Sequence, residues 1–562
     1  AEEGTARTDA VEAVARALVA GLEDHDWDPA AVAAVVTDVL DGASRAGSSA
    51  GSDGGGAAGV AGPAGTGPVG AGSADGGAPG AVPTGSPQNP GARGLAAAAT
   101  VQPRVDRAAV TAVLTFAATE IVPRLARTTD EIGQTLHALA GGYVPAGPSG
   151  SPLRGLVNVL PTGRNFYAVD PRAVPSPLAW ETGRAMADSL LARHLADTGE
   201  YPRSVGLSAW GTSAMRTAGD DVAEILALLG VAPLWDEESR RVRGLEPIPL
   251  AELGRPRVDV TVRISGFFRD AFPHVVDLLD DAVRLVADLD EDPEHNYVRA
   301  HAAEDAATHG DRRRATTRIF GSKPGAYGAG LLPLVDAGTW HDDADLAEVY
   351  AAWGGFAYGR GLDGRAARED LTAAYRRISV AVKNTDSLEH DIADSDDYFQ
   401  YHGGMIATVR ALTGRGPRAY VGDSTRPDAV RTRTLGEEMA RVVRARVVNP
   451  RWIASMRRHG YKGAFELAAT VDYLFGYDAT AGVVADWMYE AVTEAYVLDA
   501  ENQKFLAGAN PWALHGIAER LLEAADRGLW AAPQTATLDA LREVYLRAEG
   551  DLEGRGQAAD DA

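Results

Sequence analysis

The sequence contains no cysteine. Disulfides, thiolate metal sites, iron–sulfur clusters and thiol nucleophiles are excluded with it, and the lack fits a cytoplasmic protein. Lysine is scarce: Lys323, Lys383, Lys462 and Lys504 are the only ones, so nearly all basic residues are arginine. Positive charge is in the minority, with 54 Lys and Arg against 78 Asp and Glu, and the net charge is −24. That balance argues against non-specific binding to nucleic acid or anionic lipid, but it permits a local arginine pocket. No run of 18 apolar residues occurs, so no membrane span is expected. The first residues, Ala1 to Arg7, lack the basic and apolar regions of a signal peptide, and the absence of an initial Met reads as a fragment or a processed chain. There is no GxxxxGK[ST] and no HExxH, so any use of ATP has to come through a partner and a zincin reading fails.

What is present is a chain of 562 residues with 45% hydrophobic content, ample for several cores. Residues 1–41 read as a helical remnant of an N-terminal region, with Val11, Val14, Leu18, Val19 and Leu22 at helical spacing. Residues 42–94 are almost entirely Gly, Ala, Ser and Pro, the composition of a linker. A formal GxGxxG at Gly65–Gly70 falls there without a strand before it or a helix after it, and is discounted.

Residues 95–340 read as an α/β region. Helices are expected over Ala108–Leu125 and Thr129–Leu139. Strands Leu156–Leu160, Ser204–Trp210 and Val258–Ile264 then alternate with helices Pro177–Ala196, Asp220–Leu229 and Pro273–Leu289. Such strand–helix units, over about 155–340, imply a parallel sheet, with ligands beyond the carboxyl ends of the strands. The turns at those ends are Pro161–Phe166, Gly211–Arg216 and Ser265–Asp270. Residues 341–550 read as mainly helical. The helices include Asp345–Tyr358, Arg368–Val382, Leu435–Val448, Gly463–Phe475 and Gly482–Leu498, with one short strand at Ala419–Gly422. Residues 551–562 form a polar tail expected to fray.

One stretch combines residues suited to proton and metal handling. Ser387–Met405 sets Glu389, Asp391, Asp394, Asp396 and Asp397 beside His390, His402, Tyr398 and Tyr401. A helix starting near Ser395 puts Asp394 at its amino edge and Tyr398 and His402 on one face. Gly403 and Gly404 then allow the backbone to turn or to approach a flat ligand. A capped, solvated helix start with a buried Tyr and His fits the same residues. His301 lies just past the third strand–helix unit, and imidazole with carboxylate suits a borderline divalent ion. Arg318–Gly330 is a glycine-rich loop with one Lys and one Tyr, suited to walling a large planar or carboxylate-bearing ligand.

Several segments occur together in one known family. They are Asn158–Asn165, Trp210–Thr212, Arg257–Asp270, Asn296–Arg299, Arg318–Gly328, Asn449–Trp452, His459–Gly463, Asp478–Gly482 and Trp487–Glu490. Over roughly 96–550 the chain resembles the large subunit of the class I, ATP-dependent tetrapyrrole chelatases. The Gly321–Gly328 loop, the Phe267–Asp270 turn and Tyr401–Met405 look like the cobalt branch, the CobN type, rather than the magnesium chelatase H subunit. Where the magnesium branch typically carries a His before its Tyr-Phe pair, this sequence has Asp397. Family members are about twice this length.

The resemblance implies insertion of Co²⁺, as substrate, into hydrogenobyrinic acid a,c-diamide on the aerobic route to cobalamin. ATP, with Mg²⁺, is hydrolysed by AAA+ and integrin-like partner subunits of the CobS and CobT type. The alternatives are a magnesium chelatase H subunit, inserting Mg²⁺ into protoporphyrin IX, and a non-catalytic tetrapyrrole-binding fragment. Insertion needs the macrocycle held, its inner N–H protons removed and a desolvated metal delivered. For the first task Arg164, Asn165, Arg269, Arg299 and Lys323 suit carboxylates and amides, and Tyr327 and Tyr401 suit ring stacking. Glu389, His390 and Asp397 are candidates for the proton. His301 and His402 are candidates for the metal, with Asp394 as a supporting partner. Ser387–Met405 is expected to face Pro161–Phe166, Ser265–Asp270 and Arg318–Gly330 across a cleft.

Overall fold

The computed structural model describes residues 2–49, 106–150, 152, 157–167 and 169–560. Most of the expected linker, with its Gly65–Gly70 match, lies outside these residues, while its first part belongs to helix Val32–Ser49. The chain forms two compact units, one of residues 1–148 and 157–166, the other of residues 149–156 and 167–562.

In the first unit, helices Glu2–Glu23, Val32–Ser49 and Arg107–Phe116 share a small core built on Leu18, Leu22, Val32, Val35, Val36 and Leu40. The stretch Arg107–Leu139 is, by length and composition, long and apolar enough to cross a membrane. The expectation that no such helix exists rested on unbroken apolar runs, and an Ala- and Thr-rich helix escapes that criterion. The strand expected at Leu156–Leu160 is not one: Val157–Val159 forms a single 3₁₀ turn. Pro161 follows and has no N–H for a ladder. The Asn165 amide holds this turn, donating to Val159 O at 2.9 Å and Pro148 O at 2.7 Å.

The second unit is built on an eight-stranded sheet. Its strands in chain order are β1 (Ser204–Ala209), β2 (Asp259–Ile264), β3 (Ile319–Gly321), β4 (Phe356–Gly359), β5 (Leu362–Ala366), β6 (Val380–Thr385), β7 (Arg418–Asp423) and β8 (Arg431–Thr434). Their spatial order is β8-β7-β6-β1-β2-β3-β4-β5. The five central strands, β7 to β3, are parallel; the antiparallel strand β8 closes one side and the antiparallel pair β4 and β5 the other. From β1 the chain winds outward through β2 and β3, then returns to place β6 on the other side of β1. The order therefore reverses between β1 and β6, and a crevice opens at the carboxyl ends of strands at such a switch point.

Both faces of the sheet are covered. Helices Pro177–Thr198, Asp220–Leu229 and Pro273–Asp288 share a core with Val205, Leu207, Val260, Val262 and Val380. Helices from the later half, among them Asp343–Gly354 and Gly404–Thr413, pack Tyr350 and Met405 with Phe320 and Ala381 on the other face. The alternation in β2 thus separates two buried layers rather than core from solvent. Asp259, Thr261 and Arg263 are as buried as the valines between them.

Five of the eight strands come from beyond residue 340, so the sheet runs across the boundary between the α/β and helical regions. Two expected helices end early and give way to strands. Asp343–Gly354 stops at paired glycines before β4, and Arg368–Tyr375 stops before β6, where Ile378, Val380 and Val382 take up the two-residue period.

Candidate functional site

At the carboxyl ends of the parallel strands, four turns converge. After β1, Trp210 leads into helix Gly211–Thr217, and Arg216 forms a bidentate pair with Asp386, which follows β6 (both N–O distances 2.8 Å). This pair spans the switch point. After β2, Ser265 caps helix Gly266–Ala271 by accepting from Phe268 N at 3.1 Å. The glycines at these starts are needed for close approach. A Cβ on Gly211 would sit 2.7 Å from Phe267 Cδ1, and one on Gly266 2.5 Å from Tyr327 Cδ1.

After β3, the Ser322–Gly330 loop is held from beneath by Arg269. Its Nη1 donates to the carbonyls of Lys323 (2.9 Å), Ala326 (3.1 Å) and Ser322 (3.3 Å), while Nε and Nη2 take Asp270 at 2.6 and 2.9 Å. Asp270 also accepts from Tyr327 Oη at 2.6 Å. Arg269 therefore spends its donors on the loop and is a positioning residue, not the carboxylate receptor expected of it. Lys323 and the Tyr327 ring remain exposed on the same loop.

The fourth turn is the carboxylate-rich segment, and its acids divide sharply by environment. Asp391 makes a bidentate pair with Arg446 (2.6 and 2.8 Å), and Asp394 lies 3.1 Å from the same guanidinium while accepting from Asp391 N at 2.7 Å. Asp394 is thereby engaged in holding the turn, with burial and Asp391 pushing its pKa up and Arg446 pulling it down. Asp396 accepts from Gln400 Nε2 at 2.8 Å, and Gln400 in turn accepts from Leu332 N at 3.1 Å. The Asp397 carboxylate has no hydrogen bond or ion pair among the described residues. Burial, and then the charge of Asp396, push it up to about 6. Glu389 and His390 are exposed on the arm of the segment nearer β6.

Beneath this rim lies a buried stack of aromatic rings and cations. Trp210 packs against Tyr401 (ring centroids 4.7 Å apart) and Tyr398 (5.7 Å). Lys383 Nζ stands 3.8 Å over the Tyr398 ring, and Arg263 Cζ 4.8 Å over Tyr401. Arg263 is fully buried, with Nε and Nη2 unpartnered, so the tyrosine π faces carry its charge. Burial brings Lys383 down to about 8 against the pull of Asp386 and Asp221. Tyr401 is thus a core ring here, not one open for stacking on a ligand.

The remaining expected residues lie elsewhere. His301 Nδ1 is 2.8 Å from Asp259 Oδ2, and Asp259 also receives Arg318 Nε. Asp259 opens β2 at the amino edge, a strand length of about 20 Å from the cleft. Arg299 caps the end of helix Pro273–Asp288 through the carbonyls of Leu289 and Glu291, both at 2.8 Å. His402 is fully buried, with Nε2 3.3 Å from Ala381 O and Nδ1 unpartnered, and burial holds it down to about 4. His301 and His402 therefore do not meet. Among the described residues no group of three His, Asp or Glu side chains could hold a metal ion. Arg164 and Asn165 belong to the first unit.

Gly403 and Gly404 neither turn the chain nor line a ligand surface. They sit in the π-helical turn Phe399–Gly403 and the helix after it, with helical φ of −62° and −59°. A Cβ on Gly404 would meet Tyr350 at 2.5 Å, and one on Gly403 would collide with Thr480.

Sequence reasoning missed Lys383, Asp386 and a buried acid pair, Asp221 and Glu224. Asn384 Nδ2 donates to both acids, at 2.9 and 2.6 Å. Two signals were available: Lys383 is one of very few lysines, and Asp220, Asp221 and Glu224 share a helix that is otherwise apolar.

The family model described as CobN/Magnesium Chelatase matches residues 1–537. An aerobic cobaltochelatase subunit CobN from Pseudomonas aeruginosa is 52% identical over 427 residues, 75% of this chain and 34% of that protein. The H subunit of a magnesium chelatase from Rhodobacter capsulatus is 38% identical over 436 residues, 77% of this chain and 36% of that one. Among solved structures, the catalytic subunit of cobaltochelatase from Mycobacterium tuberculosis is 64% identical with a TM-score of 0.80, covering 97% of this chain and 40% of that one. The chain spans about a third of the length of the curated relatives it matches.

Proposed function

The chain belongs to the CobN/magnesium chelatase family, and on that premise we propose that it carries the insertion cleft of a cytoplasmic cobaltochelatase large subunit. The reaction is insertion of Co²⁺ into hydrogenobyrinic acid a,c-diamide, with ATP and Mg²⁺ used by AAA+ and integrin-like partners of the CobS and CobT kind. The observation that carries this reading is the convergence of four turns at the switch point around a half-buried carboxylate, Asp397, that has no partner and is pushed up to about 6.

The neutral corrin carries one inner N–H and binds the metal as a monoanion, so each turnover releases one proton from the ring. Asp397 is ionised at neutral pH yet basic enough to accept it. The exposed Glu389 and His390 take it on and exchange it with water. Lys323 offers a point charge to a peripheral carboxylate of the macrocycle, and the exposed Tyr327 ring offers it a flat face. Arg269 and Asp270 hold that loop in place, and Arg216 with Asp386 fixes the crevice behind it.

The test uses the full-length protein with its ATPase partners. Asp397→Asn is expected to slow insertion by about 10²-fold or more and to abolish the limb of the pH profile near 6, while absorbance titration gives an unchanged affinity for the corrinoid. Insertion at the parental rate removes Asp397 from the role of base without touching the family assignment. Turnover with protoporphyrin IX and Mg²⁺ alone replaces the cobalt reading by the magnesium one, and corrinoid binding without insertion favours a binding fragment.

A further inference from the structure

The amino ends of the same strands frame a second hollow of quite different chemistry. A pocket of about 610 Å³ opens beside the starts of β1, β6 and β7. Arg203 stands just before β1, Arg376 and Arg377 just before β6, and Arg415 and Arg418 at the start of β7. The gathering is notable in a chain of net charge −24. Arg377 is committed to Asp305, with Nη1 3.0 Å from Oδ2. Arg203 lies 4.9 Å from the Tyr297 ring centroid. None of Arg203, Arg376, Arg415 and Arg418 forms an ion pair with a carboxylate among the described residues, and Glu200 is the one acid in the lining. These four guanidiniums crowd one hollow with Glu200 as the acid in its lining and Asp197 acting on Arg418 from beside it.

A second observation points the same way. His194 lines this pocket at 4% exposure, and its Nδ1 is buried without a partner. Burial and the neighbouring Arg418 hold the ring neutral. An imidazole nitrogen left without a partner in the lining beside four arginines is an unexplained buried polar group of the kind a ligand-binding hollow carries.

We propose that this pocket binds a small polyanion, a molecule with two or more phosphate or carboxylate groups. The guanidinium fork matches either group bidentately, and the volume is that of a small-ligand site. Tyr201, Pro202, Ile378 and Pro417 supply apolar walls for the body of the ligand. The site is a strand length, about 20 Å, from the carboxyl-edge cleft, so its occupant does not compete with a macrocycle there. The inference is independent of the chelatase reading.

Titration calorimetry of this chain at low ionic strength, with inorganic pyrophosphate and separately with citrate, tests it. Saturable one-site binding of at least one probe below about 1 mM is expected. Binding of pyrophosphate alone assigns phosphate groups, of citrate alone carboxylates, and of both the shared chemistry. The double variant Arg203→Gln/Arg418→Gln is expected to bind about tenfold more weakly or worse, and the exposed single variant Arg415→Gln to lose several-fold with an unchanged melting curve. Arg284→Gln, outside the pocket, is expected to bind like the parent. Absence of saturable binding by either probe, or binding equally tight in Arg415→Gln and the double variant, overturns the proposal.

Discussion

Burial favours the neutral acid form of Glu224 over its carboxylate. It is fully buried, and burial pushes it up to about 8, with Asp221 beside it pushed up to about 6. The two hydrogens of Asn384 Nδ2 serve one acid each. A folded-state pKa above the ordinary 4.5 means that the stability this group contributes is complete below pH 4.5 and is lost as the pH rises through 8. Glu224→Gln keeps an acceptor for the Asn384 amide and cannot ionise. Its melting temperature is expected to match the parent at pH 5 and to exceed it by a few degrees at pH 8, as read by calorimetric scans. Parallel curves would show that Glu224 is ionised in the folded protein. The same distinction governs what was legible at single residues. Asp397, Lys323 and Tyr327 stand out in the sequence because they follow strand ends or stand in an unusual composition, and they lie on the turns proposed to line the cleft. The roles expected of His301 and His402 could not be judged from spacing, since nothing in spacing tells which edge of the sheet a helix reaches or how deeply it is buried.

At the scale of elements, the π-helical turn Phe399–Gly403 is the joint of the site. It lets Asp397 and Tyr398 sit at the crevice while the next helix, Gly404–Thr413, lies against the sheet. Such turns widen a helix by one residue and recur at functional sites. Three glycines make the packing close enough: Gly403 against Thr480, Gly404 against Tyr350, and Gly476 against Phe399 at 2.6 Å from an added Cβ. Gly403→Ala forces helix Gly460–Ala481 outward. A loss of about 1–3 kcal/mol in unfolding free energy is expected by denaturant titration, with Gly436→Ala, where a Cβ meets nothing, as the neutral control. The glycines were visible in sequence, but their reason was not. A helical glycine and a turn glycine look alike until the neighbouring helix is placed. Helices and parallel strands with long apolar runs were legible, whereas β4 and β6 were read as helix ends because their few residues continue an apolar pattern already under way.

At the scale of the molecule, the chain sets negative net charge around a site proposed to take a divalent cation. A net charge of −24 raises the local concentration of cations, and salt removes that advantage. Initial rates of insertion at limiting Co²⁺ are expected to fall several-fold between about 0.02 and 0.3 M ionic strength, with little change at saturating metal. A flat profile would mean that the ion is not captured by diffusion in the protein's field. The pocket proposed at the opposite edge follows the inverse logic, its arginines offsetting locally the repulsion that the net negative charge exerts on an anion. The architecture was legible in sequence as an α/β fold with a helical continuation. The reversal of strand order was not, because it depends on where β6 returns.

That return carries a consequence for biosynthesis. Arg216 and Asp386 are separated by 170 residues yet lock together across the crevice. On a growing chain β1 emerges well before β6, so one side of it waits unpaired while the next strands and helices are made. The cleft has no floor until β6 arrives and lacks Asp397 until the turn after it follows. A nascent chain interrupted anywhere before that point can hold much of the first-formed core and still lack the crevice at the switch point.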